Sequence, residues 1–467
     1  MSVSTQSKEY ADNVDLWKKS RDAVNGATAV KAKGAKYLPK PNPEDSSAEN
    51  TARYDDYVAR ANYVNFTGAT LDGMLGMVFR KEQAVDLQGE IAYMEENANG
   101  AGLTLEQMAR SLISNMLQAG RHGLLTEYPE APKREDGTAL TKAEVVKLGL
   151  QANIKAYPAE RVINWRTVVV GGIEKLSLVV LEEDHEEVSD DGFESETKTY
   201  HRVLKLVDGL YEQTLYNENE EIIVEFEPKD AKGQRWTEIP FIFAGAENND
   251  PDVDRAPLYD IAEVNIAHYR NSADFEESCY MVGQPTPYAA GLTQTWVDAN
   301  MKNGVVIGSR RFLNLPVDGS AGLLQAAPNS MPEAGMTAKE LQMVKLGARL
   351  ITDASGTETA EAARIRYAGQ NSKLAAVVGN AEAALKQCFE WAMQFMGGAG
   401  ENEYVLNREF YDKTADPQMV IAKIQLLDRG VIAMRDMRDG LRSTGVIESD
   451  RTDEEIEAEA EVETEDL

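Results

Sequence analysis

The chain has 467 residues, with 78 acids against 48 bases and a formal net charge of -30. That length implies two or three lobes, the 43% hydrophobic share is enough for a packed core, and the charge excludes a protein that grips nucleic acid over a broad basic face. Cys279 and Cys388 are too few for a disulfide framework and read as reduced thiols in a reducing compartment.

Met1 to Asn13 is polar without an apolar core, so no secretory signal is expected, and no run of 18 apolar residues is present to cross a membrane. Eight Lys or Arg lie between Lys8 and Lys40, against the four acids Glu9, Asp12, Asp15 and Asp22. The run Pro39-Lys40-Pro41-Asn42-Pro43 breaks any helix there. Residues 51–80 read as one helix, with Tyr54, Tyr57, Ala61, Val64, Leu71 and Leu75 near helical spacing. Gly68, Gly73 and Gly76 weaken its second half. A further helix starts at Thr104, because Thr104 and Gln107 fit a capping box that satisfies free N–H groups of the first turn. Met108, Leu112, Met116 and Leu117 share one of its faces. It ends near Gly120, and Leu124-Leu125-Thr126-Glu127-Tyr128 reads as a strand.

Residues 154–245 are the β-rich part. Val168-Val169-Val170 and Leu176 to Leu181 are β-branched or apolar runs, and Val207-Asp208-Gly209-Leu210 signals a two-residue hairpin. Glu182 to Glu196 holds nine acids and no Lys or Arg, and reads as a surface loop. A helix follows over 257–281, with Pro257 suited to its first turn and Leu258, Ile261, Ala262 and Tyr269 near one face. Gly283-Gln284-Pro285-Thr286-Pro287 stops it. Residues 288–330 read as short strands and turns, and Met336 to Leu350 as helix. After the polar break at Thr352 to Thr357, Ser355 and Glu358 can cap the longest helix, which runs to about 396. Its positions Leu374, Val378, Ala381, Leu385, Cys388, Ala392 and Phe395 alternate spacings of four and three, a packing seam either for the core or for a second subunit. A helical pair covers about 416–445, turning at Asp428-Arg429-Gly430. Glu448 to Leu467 holds eleven acids and one Arg, a self-repelling tail expected to be disordered.

The usual signatures of catalysis are missing. The four histidines, His122, His185, His201 and His268, form no HExxH pair, and there is no CxxC, no GxxxxGK[ST] phosphate loop and no GxGxxG after a strand. His268 reads as a packed or hydrogen-bonded residue beside Tyr269. Gly319-Ser320-Ala321-Gly322 is not a nucleophile elbow, since Asp318 stands where the first glycine belongs. No catalytic residue, metal or cofactor is assigned.

What remains is an order of motifs. These are Gly120-Arg121-His122-Gly123-Leu124-Leu125 with Tyr128-Pro129, then Tyr157-Pro158-Ala159-Glu160-Arg161-Val162-Ile163-Asn164-Trp165, then Pro257 to Glu277. Gly283-Gln284-Pro285-Thr286-Pro287, Ser355-Gly356-Thr357-Glu358-Thr359-Ala360 and Gly430-Val431-Ile432 complete the set. In this order the chain resembles the bacteriophage portal proteins, and more narrowly a portal-like family catalogued as a domain of unknown function. Members of that family often carry Asp before the Tyr-Pro pair, where this chain has Glu127.

The resemblance implies an α+β, mainly helical, portal-type subunit with a β-rich wing, helical stem, small clip and helical crown. It implies a wing at 1–250, stem helices at 257–281 and 336–350, and a clip at 283–333. A tunnel loop at 351–358, a long wing helix at 359–397, a crown at 415–447 and an acidic tail at 448–467 follow. It implies a ring of identical subunits, usually twelve, at one capsid vertex of the virion, assembled in the host cytoplasm. Double-stranded DNA would pass through without sequence reading. The terminase large subunit, a head-completion or neck adaptor, and the major capsid and scaffold proteins would be partners, with ATP hydrolysis left to the terminase. Lys345, Arg349, Arg364 and Arg366 would flank the tunnel loop residues Thr352, Asp353, Ser355, Gly356, Thr357 and Glu358, while Arg310 and Arg311 would meet partners at the clip. The plainer reading of the four flanking cations is an exposed helix cation or intersubunit ion pair, and of the two clip arginines a solvated turn. The competing classes are an acidic head-associated adaptor or scaffold-type protein that forms no pore, and an unrecognised hydrolase.

Overall fold

The computed structural model describes residues 2–129, 148–189, 191–283, 286–300, 314–324, 329–351, 373–408, 410, 424–427, 429–442, 447, 451–453 and 455–456. They fall into two units. The larger comprises Met1–Gly76, Gln83–Gly356 and Asn371–Leu406, and the smaller Met77–Glu82, Thr357–Gln370 and Asn407–Leu467. The fold class is α+β and mainly helical, with antiparallel pairing in each described sheet.

Ahead of the proline break, Ser7 accepts from Tyr10 N and starts α1 (Lys8–Asn25), and Gly26 at φ 87° turns the chain into α2 (Ala27–Ala32). The single helix expected over 51–80 is two helices, α3 (Ala48–Arg60) and α4 (Phe66–Val78). The break has a local cause. Asn65 Oδ1 accepts from Gly68 N at 2.8 Å in the manner of an N-cap, while its Nδ2 donates to Val24 O at 2.8 Å. α5 (Leu105–Ala119) carries the expected Thr104–Gln107 capping box and ends at Gly120, φ 79°. A Cβ on Gly120 would stand 2.2 Å from Asp254 O, so both the backbone and the neighbouring turn require glycine.

β1 (Ala84–Asp86) pairs with β12 (Glu403–Val405). β2 (Arg121–Glu127) is the centre of a three-stranded sheet, between β3 (Asn153–Pro158) and β9 (Phe241–Gly245), with Leu124 opposite Ala156 on one side and Ile242 on the other. Its first six residues are buried, because α5 and α9 (Lys373–Met396) pack on this sheet. The seam Leu374, Val378, Ala381, Leu385, Cys388, Ala392 and Phe395 is buried throughout within this unit, so it belongs to the chain's own core. The expected start of the long helix, near 358, lies outside the described residues. Burial pushes the Cys388 thiol up to about 12, which leaves it protonated and inert.

Two residues of the Gly120-Arg121-His122 motif are buried polar groups without a carboxylate. The Arg121 guanidinium lies 3.7 Å from the Phe243 ring centroid and 4.3 Å from that of Trp165. Burial pulls Arg121 down to about 9, and the two ring faces stand in for an anion. Burial likewise holds His122 at about 3, so it is neutral.

The second sheet has the order β4 (Val162–Val170), β5 (Ile173–Val188), β6 (Ser195–Val207), β7 (Leu210–Tyr216) and β8 (Ile222–Phe226). Asp208 at φ 50° and Gly209 at φ 77° make the expected two-residue turn, both in the left-handed region that such a hairpin demands. The acidic run is a correction. Most of Glu182 to Glu196 is not a loop but a ribbon, because β5 and β6 continue pairing out to Val188 opposite Ser195. Register explains how so acidic a segment can pair: like charges directly opposite are destabilising. Glu182 faces His201, Glu183 faces Tyr200, Asp184 faces Thr199, His185 faces Lys198 and Glu186 faces Thr197, leaving Glu187 opposite Glu196. Lys198 then reaches Glu187 at 2.7 Å and Glu218 at 3.3 Å.

In the smaller unit, Asn407 Nδ2 donates to Met77 O at 2.9 Å. The expected turn is present: Gly430 at φ 68° donates to Leu427 O at 2.9 Å, before α10 (Met434–Arg442). Arg442 binds Asp439 at 2.8 Å and also pairs with Asp453 of the acidic tail. Most of that tail lies outside the described residues.

Arg202 grips Glu183 through Nε at 2.7 Å and Nη2 at 3.0 Å, and Tyr157 donates to the same carboxylate at 2.5 Å. Burial alone would raise this carboxyl, but Arg202 and Tyr157 outweigh it and hold it at about 2, against an ordinary 4.5. A carboxylate depressed on folding stabilises fully above its unfolded value and loses that contribution as pH falls toward the folded one. Glu183→Gln should therefore lower the melting temperature near neutral pH and narrow the drop in wild-type melting temperature between about pH 5 and pH 2.5. Thermal scans across that window check this, and parallel pH profiles for the two proteins would remove the assigned role.

Candidate functional site

Within the larger unit, one long excursion leaves the helical body and returns. It goes out along α6 (Tyr259–Gly283) and comes back along α8 (Met331–Ile351). Between them lie β10 (Thr286–Ala290), the short α7 (Gln294–Asn300) and β11 (Ser320–Leu324). β10 and β11 form a hairpin with Thr286 opposite Leu324 and Ala290 opposite Ser320. α6 starts two residues later than the sequence suggests, so Pro257 precedes its first turn.

α6 and α8 run antiparallel. His268 Nε2 is 3.2 Å from Glu340 Oε1, and Lys339 Nζ donates to Asn271 Oδ1 at 2.6 Å. A Cβ on Gly335 would meet Asn271 Nδ2 at 3.2 Å, which shows how closely the helices approach. α8 buries one stripe, marked by Pro332, Met343 and Gly347.

The base of the excursion is fastened by a buried polar hub. Asn265 is fully buried, and its Nδ2 donates to Val64 O at 2.8 Å. Its Oδ1 accepts from Thr67 N at 3.0 Å and Thr67 Oγ1 at 2.9 Å. Tyr63 donates its hydroxyl to Ala23 O at 2.7 Å and lies 2.9 Å from the same Oδ1. One amide thus joins α6 to the break between α3 and α4, using the very segment in which the predicted single helix fails. Ser272 Oγ donates to Asn62 O at 2.6 Å, and Tyr57 donates to Asp274 at 2.6 Å. Arg60 binds Glu277 at 2.7 Å and covers the Tyr280 ring at 4.4 Å. Burial pushes the Tyr63 and Tyr57 hydroxyls well up, and Asp274 adds to the shift at Tyr57, so both act as donors.

Burial stops along the way out. No residue of α6 beyond Ala273 is buried. Tyr280, Met281, Tyr288, Leu323 and Leu324 are exposed, as are Leu341 and Val344 on the outer side of α8.

Of the expected channel residues, Lys345 is exposed on α8, and Arg349 belongs to the same helix. Thr352, Asp353, Ser355, Gly356, Thr357, Glu358, Arg364, Arg366, Arg310 and Arg311 lie outside the described residues. Among the described residues, no three His, Cys, Asp or Glu side chains gather to hold a metal ion. No described helix is long and apolar enough to cross a membrane. A cleft of about 510 Å³ at the end of α9 is lined by Asp230, Lys232, Glu390, Gln394 and the glycines Gly397, Gly398 and Gly400, and brings no histidine, cysteine or hydroxyl side chain to its wall. His268 is buried between Phe66, at 5.7 Å between ring centroids, and Glu340, a packed residue as its neighbourhood suggested. The hub residues Asn265, Thr67 and Tyr63 carry no sequence signal of their own, since a buried Asn looks like any other Asn until its partners are known.

Residues 257–396 match the model of a family described as a domain of unknown function, DUF4055. The match begins just before α6 and ends on the last residue of α9, so it spans the whole excursion and the buried seam. No curated protein matches the chain. The chain is similar to one from the virion of a native gene transfer agent particle, at 13% identity and a TM-score of 0.42, over 81% of this chain and 89% of that one. It is also similar to a chain from the neck of an empty gene transfer agent particle, at 14% identity and a TM-score of 0.39, over 90% of this chain and 98% of that one.

Asn265→Ala should cost about 3 kcal/mol, because it leaves the Val64 carbonyl and the Thr67 amide buried without partners. Urea unfolding followed by circular dichroism measures the loss. A change below about 0.5 kcal/mol would mean that the hub does not fasten the excursion.

Proposed function

We propose that the chain is a subunit of a phage portal, a ring-shaped channel at one capsid vertex through which double-stranded DNA is packaged and later ejected. The observation that carries this reading is the excursion of α6, β10, β11 and α8, fastened by buried polar bonds at its base and apolar but exposed along its length and at its far end. A lone soluble subunit gains nothing from that exposure. A closed ring covers it with the neighbouring subunits, and a docking protein covers its tip. The order of motifs supports the same reading, and the family match over 257–396 spans the proposed stem, clip, tunnel loop and long helix as one block.

In this reading α6 and α8 are the stem, the β10–β11 hairpin belongs to the clip, and residues 351–358 narrow the channel. DNA must slide without sticking. Each cation paired with a phosphate releases counterions and adds affinity, so a basic wall would brake passage. Carboxylates repel phosphate at short range, within a Debye length of roughly 10 Å at 0.1 M salt. Lys345 and Arg349, with Arg364 and Arg366, would supply a few weak contacts that centre the duplex. Arg310 and Arg311 would face the terminase large subunit during packaging and a neck adaptor afterwards. The net charge of -30 suits a non-pore adaptor or scaffold-type protein equally well; the exposed apolar excursion favours the ring.

Native mass spectrometry with negative-stain imaging decides between the two. Twelve chains of 51.5 kDa should give about 618 kDa (12 × 51.5) and a central hole. A chain that stays monomeric even with its scaffold and shell proteins would favour the adaptor. In assembled particles, Lys345→Ala with Arg349→Ala should leave the ring intact and lower DNA retention, measured as packaged DNA per particle. Loss of the ring itself would assign the two cations to the subunit interface.

A further inference from the structure

The five-stranded sheet has two unlike poles. At the β4–β5 turn, Arg166 lies opposite Leu178, which lies opposite Lys205, and Val168 lies opposite Lys175. Cross-strand neighbours share a face, and so do alternate residues along a strand. Arg166, Val168, Val170, Ile173, Lys175 and Lys205 therefore stand together on one face. None of these three cations has an ion-pair partner among the described residues. Ile173 is 63% exposed and Val170 54% exposed. The acids nearby are Glu212, directly opposite Lys205 on the same face and already held by Arg235 at 3.0 Å, Glu174, on the opposite face, and Asp208, in the neighbouring turn.

The opposite pole is the tip of the β5–β6 ribbon. Glu186 and Val188 continue the alternation on the same face, and Asp191, Phe193 and Glu194 make the turn. Phe193 is 91% exposed and Val188 59% exposed, an apolar tip set in acidic surroundings.

Both poles are ends of one strand. β5 has 16 residues, so at about 3.3 Å per residue the poles are roughly 50 Å apart. A single chain cannot bring them together. Two copies can, and each pole offers what the other lacks: cations without partners and an apolar ledge against carboxylates and an exposed ring.

We propose that the acidic β5–β6 tip of one subunit docks on the basic β4–β5 end of the sheet of a second copy, a head-to-tail contact in which Phe193 packs on Val168, Val170 and Ile173 while Glu186 and Glu194 face Arg166, Lys175 and Lys205. Such a contact joins unlike surfaces, so it propagates from copy to copy and closes only as a ring. It rests on the ring reading above and names one of that ring's contacts.

The test uses the full chain with Cys279→Ser, carrying Val170→Cys and Phe193→Cys together or singly. Oxidation of the assembled double variant should give a ladder of covalent multimers beyond the dimer, and neither single variant should. Charge reversal by Arg166→Glu with Lys205→Glu should lower the assembled fraction at least about tenfold, and adding Glu186→Lys with Glu194→Lys should restore it. Circular dichroism of each variant verifies folding. A ring seen by native mass without the ladder would overturn this contact and leave the portal reading standing. The ladder without a closed ring would support the contact and count against the portal. Cross-linking of Phe193→Cys alone as efficiently as the pair would mean a symmetric tip-to-tip contact and would also overturn the proposal.

Discussion

The larger unit is organised by the burial of one helix. α9 buries 14 of its residues, far more than the single stripe of a surface helix, against the β3–β2–β9 sheet and α5. α9 covers the β2 face that carries Thr126, whose Oγ1 donates to Cys388 O at 3.4 Å, while Trp165 and Val162 lie against the opposite face, at Arg121 and Gly123. On that opposite face Gly123 lies beneath Phe241, since a Cβ there would stand 2.5 Å from Phe241 Cζ. Trp236 and Phe395 close the end of the same core at 4.2 Å between ring centroids. The apolar seam is thus consumed inside the chain.

Other elements keep apolar surface that the core leaves uncovered. α8 has one buried stripe and an exposed apolar side, and α6 changes from buried to exposed after Ala273. The base of this excursion is held by neutral amide and hydroxyl bonds at the Asn265 hub, while charge pairs such as Arg60–Glu277 lie farther out. The arrangement follows from solvation. A buried amide with all its partners is cheap to keep dry, whereas an ion pair is better placed where water still reaches it. The proposed ring reading rests on this arm, with its bonded base and its exposed apolar surface.

The negative charge is handled in two ways. Where acids must lie close together in the β5–β6 ribbon, register keeps most of them opposite neutral or basic residues, and Arg202 neutralises the one that is buried. Elsewhere the buried Glu382 accepts from Leu406 N at 2.6 Å, and Asp22 and Glu160 are held by Tyr37 and Arg21. Among the described residues Arg166, Lys175 and Lys205 form no ion pair, while acids accumulate at the far end of β5. Strand geometry alone separates the two, because an extended strand cannot fold back on itself.

The sequence by itself determined the elements whose signals are local. The Thr104–Gln107 box, the Gly120 stop, the Asp208-Gly209 turn and the alternating seam of α9 depend on residues a few positions apart, and each stands where its spacing puts it. Tertiary structure decided what depends on distant partners. It split 51–80 into two helices, because Asn65 binds Val24 and the following residues bind Asn265. It turned the acidic run into a ribbon, because β6 pairs along it and supplies Lys198 and Arg202, which reach diagonally to Glu187 and Glu183. It assigned the α9 seam to the core, a choice that periodicity cannot make, since an apolar stripe has the same spacing whichever surface it meets.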